Sequence, residues 1–198
     1  MRRVVAGLFM SLDGVVEAPG EWGFQYMNDE MVQGIAEGIA QADAVLLGRR
    51  TYQQFAKMWP GVGSEVPMAD FLNNSHKYVV SASLDALDWG PASLVTGNLP
   101  EELTKLKRQP GKNIQIPGSP TLVSALLRDG LLDELSLSIC PIVVGKGMRL
   151  FENITDHVPL HLVESTALST GAVGVTYQPV SGSRSDGQHQ ATAFPAPQ

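Results

Sequence analysis

The sequence predicts an α/β domain whose mostly parallel sheet carries an antiparallel hairpin at its C-terminal end. Three observations carry this reading. Short β-branched, apolar runs alternate with amphipathic helical stretches, the order that packs helices against a parallel sheet. The 198 residues suffice for one domain with a sizeable core and are too few for two. The last two strand-like runs, about 159–167 and 172–178, are joined by Thr170-Gly171 as a hairpin.

The elements follow in order. Residues 3–10, β-branched and apolar from Val4 onward, read as a buried strand. From Asp29 to Ala42, the residues Met31, Ile35, Ile39 and Ala42 recur at helical spacing and give one apolar stripe. Ala44-Val45-Leu46-Leu47 is a second buried strand, and Arg49 to Lys57 a helix after Gly48. Pro67 to Asn74 reads as a helix, because proline suits the first helical turn. Lys77–Val80, Ser93–Thr96 and Asn113–Ile116 are further strands. The helix over Pro100 to Lys107 has Glu101 and Glu102 at its positive end and Lys105 and Lys107 at its negative end, the order the dipole favours. Pro120 to Arg128 is a helix with Leu122, Leu126 and Leu127 on one side, and Glu134 to Ile139 alternates as a half-exposed strand does. The domain is expected over 1–179. Residues 180–198, rich in Gly, Ser, Gln, Pro and Ala, read as a flexible tail.

Composition removes several classes of function. Hydrophobic residues make up 43% and charged residues 17%, which suits a folding chain. A net charge of -6 opposes any broad nucleic-acid or anionic-membrane surface, although a small basic pocket remains possible. The single cysteine, Cys140, leaves no internal disulfide framework or cysteine zinc site and reads as a buried thiol. The apolar start from Val4 to Leu12 is interrupted by Asp13-Gly14 with no cleavage signature, so a first strand explains it better than a signal peptide. No run approaches the about 20 apolar residues of a membrane span, and the cytoplasm is the expected setting. His76, His157, His161 and His189 show no metal-ligand spacing, and no metal is expected.

Three strand ends suit a phosphate-bearing ligand. At Ile116-Pro117-Gly118-Ser119-Pro120-Thr121, Gly118 permits positive φ or close backbone approach, Ser119 is a good N-cap and Pro120 fits the first helical position. The free N–H groups of such a helix start attract an anion, although a plain capped turn has the same residues. At Gly48-Arg49-Arg50-Thr51, two arginines oppose the helix dipole, which makes them anion ligands or else solvated surface charges. Ser81-Ala82-Ser83 adds hydroxyls at a third strand end. Together the three form a row along the carboxyl edge of a sheet, where open α/β folds bind ligands. The Gly-x-Gly-x-x-Gly and P-loop signatures are absent, and Gly145-Lys146-Gly147 has no helix after it to complete a phosphate loop.

These segments resemble a known family. Gly48-Arg49-Arg50-Thr51-Tyr52, Tyr78-Val79-Val80-Ser81 and the Gly118-Ser119 turn are similar to the successive cofactor-binding segments of dihydrofolate reductase-like proteins. Ser11-Leu12-Asp13-Gly14, and Leu131-Leu132-Asp133-Glu134-Leu135 through Pro141–Gly147 to Leu150-Phe151, resemble the reductase domain of the bifunctional deaminase-reductase of riboflavin biosynthesis. The likeness runs in order over about residues 2–178.

The resemblance implies a three-layer dihydrofolate reductase-like fold and NADPH as hydride donor, with NADH or a flavin as lesser alternatives. It implies a small heterocyclic substrate, as for a 5-amino-6-(5-phosphoribosylamino)uracil reductase. Gly48, Arg49, Arg50 and Thr51 would hold phosphates, Ser81 and Ser83 would lie near the adenosine 2′-phosphate, and Gly118, Ser119 and Thr121 would hold the diphosphate. Gly14, Trp22, Gly145 and Gly147 would border the nicotinamide and substrate. Asp13, and after it Asp29, would be the carboxylate that supplies or orients a proton. Asp13 also reads as a turn residue before Gly14, and Asp29 as a helix-start acid. Pro117 stands where this turn often has glycine and removes one donor, while Ala82 brings no charge where some relatives place a basic residue. No zinc deaminase signature accompanies the chain. Relatives imply a homodimer, for which the Glu134–Ile139 strand and final hairpin offer a surface. A nucleotide- or flavin-binding protein without turnover is the alternative on the same scaffold.

Overall fold

Strand β1 (Val4–Ser11) is apolar along nearly its whole length because it lies between two parallel strands in the middle of a sheet whose faces are both covered. In the computed structural model, which describes residues 1–180, it lies inside one eight-stranded sheet. The tail expected over 180–198 therefore falls, apart from Val180, outside the described residues. The strands are β2 (Ala42–Gly48), β3 (His76–Val80), β4 (Ala92–Val95), β5 (Asn113–Pro117), β6 (Glu134–Cys140), β7 (Leu160–Ala167) and β8 (Val173–Pro179). Their order across the sheet is β4-β3-β2-β5-β1-β6-β8-β7. The first six run parallel, and β8 pairs antiparallel with both β6 and β7. This is the mostly parallel sheet with a terminal hairpin that the sequence predicts.

The helices are α1 (Pro19–Trp22), α2 (Asp29–Ala40), α3 (Arg49–Met58), α4 (Ala69–Asn74), α5 (Leu99–Arg108) and α6 (Pro120–Arg128). Two boundaries differ from expectation by two residues, and two short elements were not expected. Helix α2 stops at Ala40, because Ala42 already belongs to β2. Helix α4 begins at Ala69 rather than Pro67, since Met68 turns into the left-handed region at φ 73° and leaves Pro67 in the preceding turn. The short α1, and a 3-10 turn over Phe24–Tyr26, were hidden by the Gly-rich segment after β1.

The alternation of side chains along β2 divides the core. Ala44 and Leu46 join the larger cluster with Ile114, Ile116, Leu103 of α5 and Leu126 of α6. Val45 and Leu47 face the opposite way, onto Tyr52 of α3, Leu72 of α4, Val79 and Trp89. Helices thus cover both faces, and all six parallel strands end on one edge.

Lys77, inside β3, has no exposed surface. Its Nζ lies 4.4 Å from the centre of the Trp89 ring and donates to the carbonyls of Asn73 (3.3 Å) and Ser75 (3.0 Å) at the end of α4. The helix dipole and the ring favour the cation there. Burial works against them and pushes the ammonium pKa down to about 8. The folded chain thus sheds this proton near pH 8, whereas the unfolded chain holds it to about 10.4. Stability contributed by this site rises with pH across that window, because the unfolded state then binds more protons. The stability difference between wild type and the non-titrating Lys77→Met, measured by urea denaturation, is expected to move toward wild type as pH rises through this range. A difference that stays constant with pH would show that burial does not govern this lysine.

Candidate functional site

The carboxyl ends of the parallel strands line up as Val95-Thr96, Val80-Ser81, Gly48-Arg49, Pro117-Gly118, Ser11 and Cys140, in sheet order. All three segments singled out in the sequence therefore stand on one edge, and the tip of β1 joins them.

At one end, a cavity of about 340 Å³ is lined by Arg49, Ser81, Ser83 and Thr96, with Ala82 and Gly97 beside them. Ser81 caps its own turn: its hydroxyl accepts from the amides of Ser83 (3.2 Å) and Leu84 (3.1 Å). Thr96 and Gly97 were missed in the sequence. The signal existed, since they follow a parallel strand in the same way as Ser81 and Gly118.

In the middle, two helix starts face the edge without side-chain caps, α3 after Gly48 and α6 after Ser119. By contrast, Asn28 caps α2 and Asn98 caps α5. Ser119 stands at the expected N-cap position, but its side chain does not cap the helix. With φ at 52° its side chain turns back across the edge, where its Oγ accepts the amide of Gly48 at 3.0 Å. Gly118, at φ 85°, donates its own amide to the carbonyl of Gly7 at 3.1 Å. The amides of Thr121 and Leu122 have no partner among the described residues and remain open at the start of α6. Neither Arg49 nor Arg50 has a carboxylate partner among the described residues. Arg2, Arg3, Arg128 and Arg149 each have one. Two unpaired guanidiniums at an uncapped helix start fit phosphate groups, and no side chain stands closer than 3.7 Å to where a Cβ on Gly118 would lie.

At the other end, Asp13 ties two loops together. Its carboxylate accepts from the Ser11 hydroxyl (2.7 Å) and from the amides of Val144 (3.0 Å) and Gly145 (2.9 Å). Arg149 pairs with it at 3.4 Å and also donates to the carbonyls of Asp13 and Gly145. These hydrogen bonds, led by that from Ser11, hold the carboxyl pKa down to about 2. An acid of that strength has no proton to give near neutral pH, so the geometry suits Asp13 to positioning rather than to proton supply. Gly14 (φ 85°) makes the turn that returns the chain to Val15. Gly147 lies so close to Val15 and Glu17 that a Cβ would come within 3.0 Å of Val15. Glu17 accepts from the amide of Met148 (3.0 Å), and its carbonyl accepts from Trp22 Nε1 (2.9 Å), so Trp22 is buried as part of this packing. Thr121 meets the same loop through a 3.8 Å contact with Met148 Sδ. Nothing in the sequence pointed to Glu17, Met148 or Arg149, because the bonds that tie their loops together, Met148 to Glu17 and Arg149 to Asp13, span more than 130 positions.

Asp29 occupies the first turn of α2, exposed and without a hydrogen-bond partner among the described residues, while Asn28 does the capping. Its neighbour Glu30 is engaged, accepting the amide and hydroxyl of Ser169, both at 2.9 Å, and so pinning α2 to the turn of the final hairpin. Among the described residues no group of three His, Cys, Asp or Glu gathers as metal ligands, and no helix is long and apolar enough to cross a membrane.

A mostly parallel sheet of this order, covered by helices on both faces, is the dihydrofolate reductase-like fold. Dihydrofolate reductase from Enterococcus faecalis, complexed with NADP(H) and RAB-propyl, superposes with a TM-score of 0.59 at 16% identity, over 89% of this chain and 96% of that one. A candidate riboflavin biosynthesis protein from Shewanella sp. PV-4 superposes at 0.74 with 20% identity, over 90% and 99% of the two chains. The model of the RibD C-terminal domain matches residues 2–173, and the chain belongs to that family. In sequence it is similar to the uncharacterized Bacillus subtilis protein YyaP, 31% identical over 180 residues, which is 89% of this chain and 94% of that protein.

Asp13→Asn removes the charge and replaces one acceptor with an amide. Hydrogen exchange at Val144 and Gly145 is expected to accelerate at least about tenfold, as the loss of a charge-assisted bond implies. In wild type the tie should persist at neutral pH and weaken only as pH falls from 3.8 toward about 2, because the folded-state pKa is depressed. Unchanged exchange in the variant would remove the positioning role.

Proposed function

We propose that the chain is an NADPH-dependent reductase acting on a small heterocyclic compound, pterin- or pyrimidine-like. The observation that carries this reading is the pair Arg49 and Arg50, unpaired at an uncapped helix start between the Gly118-Ser119 turn and the Ser81–Ser83 cavity. Membership of the RibD C-terminal domain family points to reductase-type chemistry, and the structural likeness to a dihydrofolate reductase that holds NADP(H) supports the choice of nucleotide.

In this reading Arg49, Arg50 and Thr51 hold phosphates, Gly118 and Ser119 shape the turn, and the open amides of Thr121 and Leu122 receive the diphosphate. Ser81 and Ser83 border the adenosine. Bound nicotinamide supplies a hydride to the substrate. The chain aligns the two reactants and excludes water from between them. Gly14, Gly145 and Gly147 allow backbone to approach closely, Trp22 closes the wall, and Asp13 holds that wall in place. Asp29, whose carboxylate has no partner among the described residues, is the group left to orient the substrate and pass a proton.

A second copy of the chain is the proposed partner and the cytoplasm the proposed setting. Supporting the dimer, β7 is exposed along both faces, with Leu162 and Val163 open at 46% and 49%. Sedimentation of the full chain as a monomer at micromolar concentration would remove that part.

NADPH is expected to raise the melting temperature of the wild-type chain. Gly118→Asp, which sets a negative charge in the diphosphate turn, should abolish the rise. Asp29→Asn should keep it while losing turnover. Absence of any response to NADPH or NADH at millimolar concentration overturns the proposal.

A further inference from the structure

Resting on the reductase reading above, we infer that Gln115 sets specificity for the substrate: its side-chain amide reads an adjacent N–H and C=O on the edge of the heterocycle, and Gly7 leaves the room for it.

Gln115 lies in the middle of β5, between β2 and β1, where a parallel sheet covered on both faces calls for an apolar side chain. Ile114 and Ile116, on either side of it, follow that rule with no exposed surface. Gln115 faces the other way, level with Val5 of β1 and Val45 of β2, both buried. Its side-chain amide has no hydrogen-bond partner among the described residues. On the same face of β6, by contrast, Glu134 holds Arg3 and the Ser136 hydroxyl meets that of Thr176 at 3.1 Å.

A gap in the helix cover lies over this amide. Gly7, Phe9 and Gln115 are half-buried, whereas the residues next to them along both strands are buried. The amide nitrogen of Gln115 stands 3.2 Å from where a Cβ on Gly7 would lie, so it occupies the space above that glycine. Phe9, the next residue on this face, packs edge-on against Phe24 at 5.7 Å and touches Gly23. The gap is therefore bordered by the segment that carries Trp22 and leads to Asp29 at the start of α2. Pro117 ends β5 two residues further on, about 7 Å from Gln115, at the turn before α6.

An apolar side chain would pack better at this position, so the use of the amide lies in pairing with what enters the gap. A glutamine amide sets a donor beside an acceptor in one plane. It matches a ring N–H beside a ring C=O through two parallel hydrogen bonds, as amide side chains match the edges of bases. Pyrimidinones and pterins carry such a lactam edge.

Calorimetric titration of the full-length chain, saturated with NADP+, tests this with two probes. Lumazine, a pteridinedione, carries the edge; dimethyllumazine, with both ring N–H groups methylated, keeps the carbonyls and loses the donors. Wild type is expected to bind lumazine at least about tenfold more tightly than dimethyllumazine. Gln115→Leu should weaken lumazine by about tenfold and bring the two probes within about threefold of each other. Its thermal shift with NADPH should be retained. Gln115→Glu, the second variant, keeps the shape but not the donor and should also weaken lumazine by about tenfold. A probe ratio that is the same in wild type and Gln115→Leu, or lumazine binding unchanged in Gln115→Glu, overturns the inference and leaves the reductase reading standing. Failure of lumazine to bind a wild-type chain that responds to NADPH likewise overturns the inference alone. Failure of both lumazine and NADPH removes the two together.

Discussion

Both the turn before α6 and the loop that Asp13 holds depend on the pairing of β1 between β5 and β6. Register on one side sets Gly7 opposite Pro117 and lets the Gly118 amide reach the Gly7 carbonyl. Register on the other side sets Ser11 opposite Cys140, after which Leu12 donates to Ile142 at 2.8 Å. One strand thus fixes the height of the turn before α6 and of the loop that Asp13 holds. Such a strand cannot slip by a residue, because the slip would exchange Leu8 and Met10, packed in the core, for Gly7 and Phe9 on the other face.

The charges divide by role. At the amino edge buried Arg2 holds Asp43 as well as the Lys112 carbonyl, and Lys107 holds Asp133 at 2.6 Å, while Arg108 has no carboxylate partner among the described residues. Along the carboxyl edge Arg49 and Arg50 stand unpaired, against the α3 dipole. A folded chain tolerates that arrangement more readily when an anion completes it. At the far end Asp13 is the opposite case, a carboxylate so fully supplied with donors that its chemistry is that of a fixed anion.

Much of this was legible in the sequence. The continuous apolar runs of β1 and β2 announced strands covered on both faces, and the charge order of α5 announced its direction. The phosphate-suited row was legible because parallel strands send all their exits to one edge, so three local motifs implied one site. Ser119 misled, since a serine before Pro120 has the composition of a cap, and only its left-handed backbone sends the hydroxyl elsewhere. Asp13 was legible as a candidate, but its partners were not: the donors at Val144, Gly145 and Arg149 arrive from another part of the chain, and nothing local records them. Pro67 gave a helix start two residues early, because the left-handed turn at Met68 has no sequence signature.

The bond between Ser119 Oγ and the Gly48 amide joins the turns at the ends of β5 and β2. These two exits lie in neighbouring strands, so their relative position is settled when the sheet forms and not when a ligand arrives. The ordering of this part of the edge is therefore met during folding, and it need not be met again on binding. On the proposed reading, a nucleotide entering here would meet turns already tied to one another. Its association should carry little of the unfavourable conformational entropy that accompanies closure of a disordered phosphate loop.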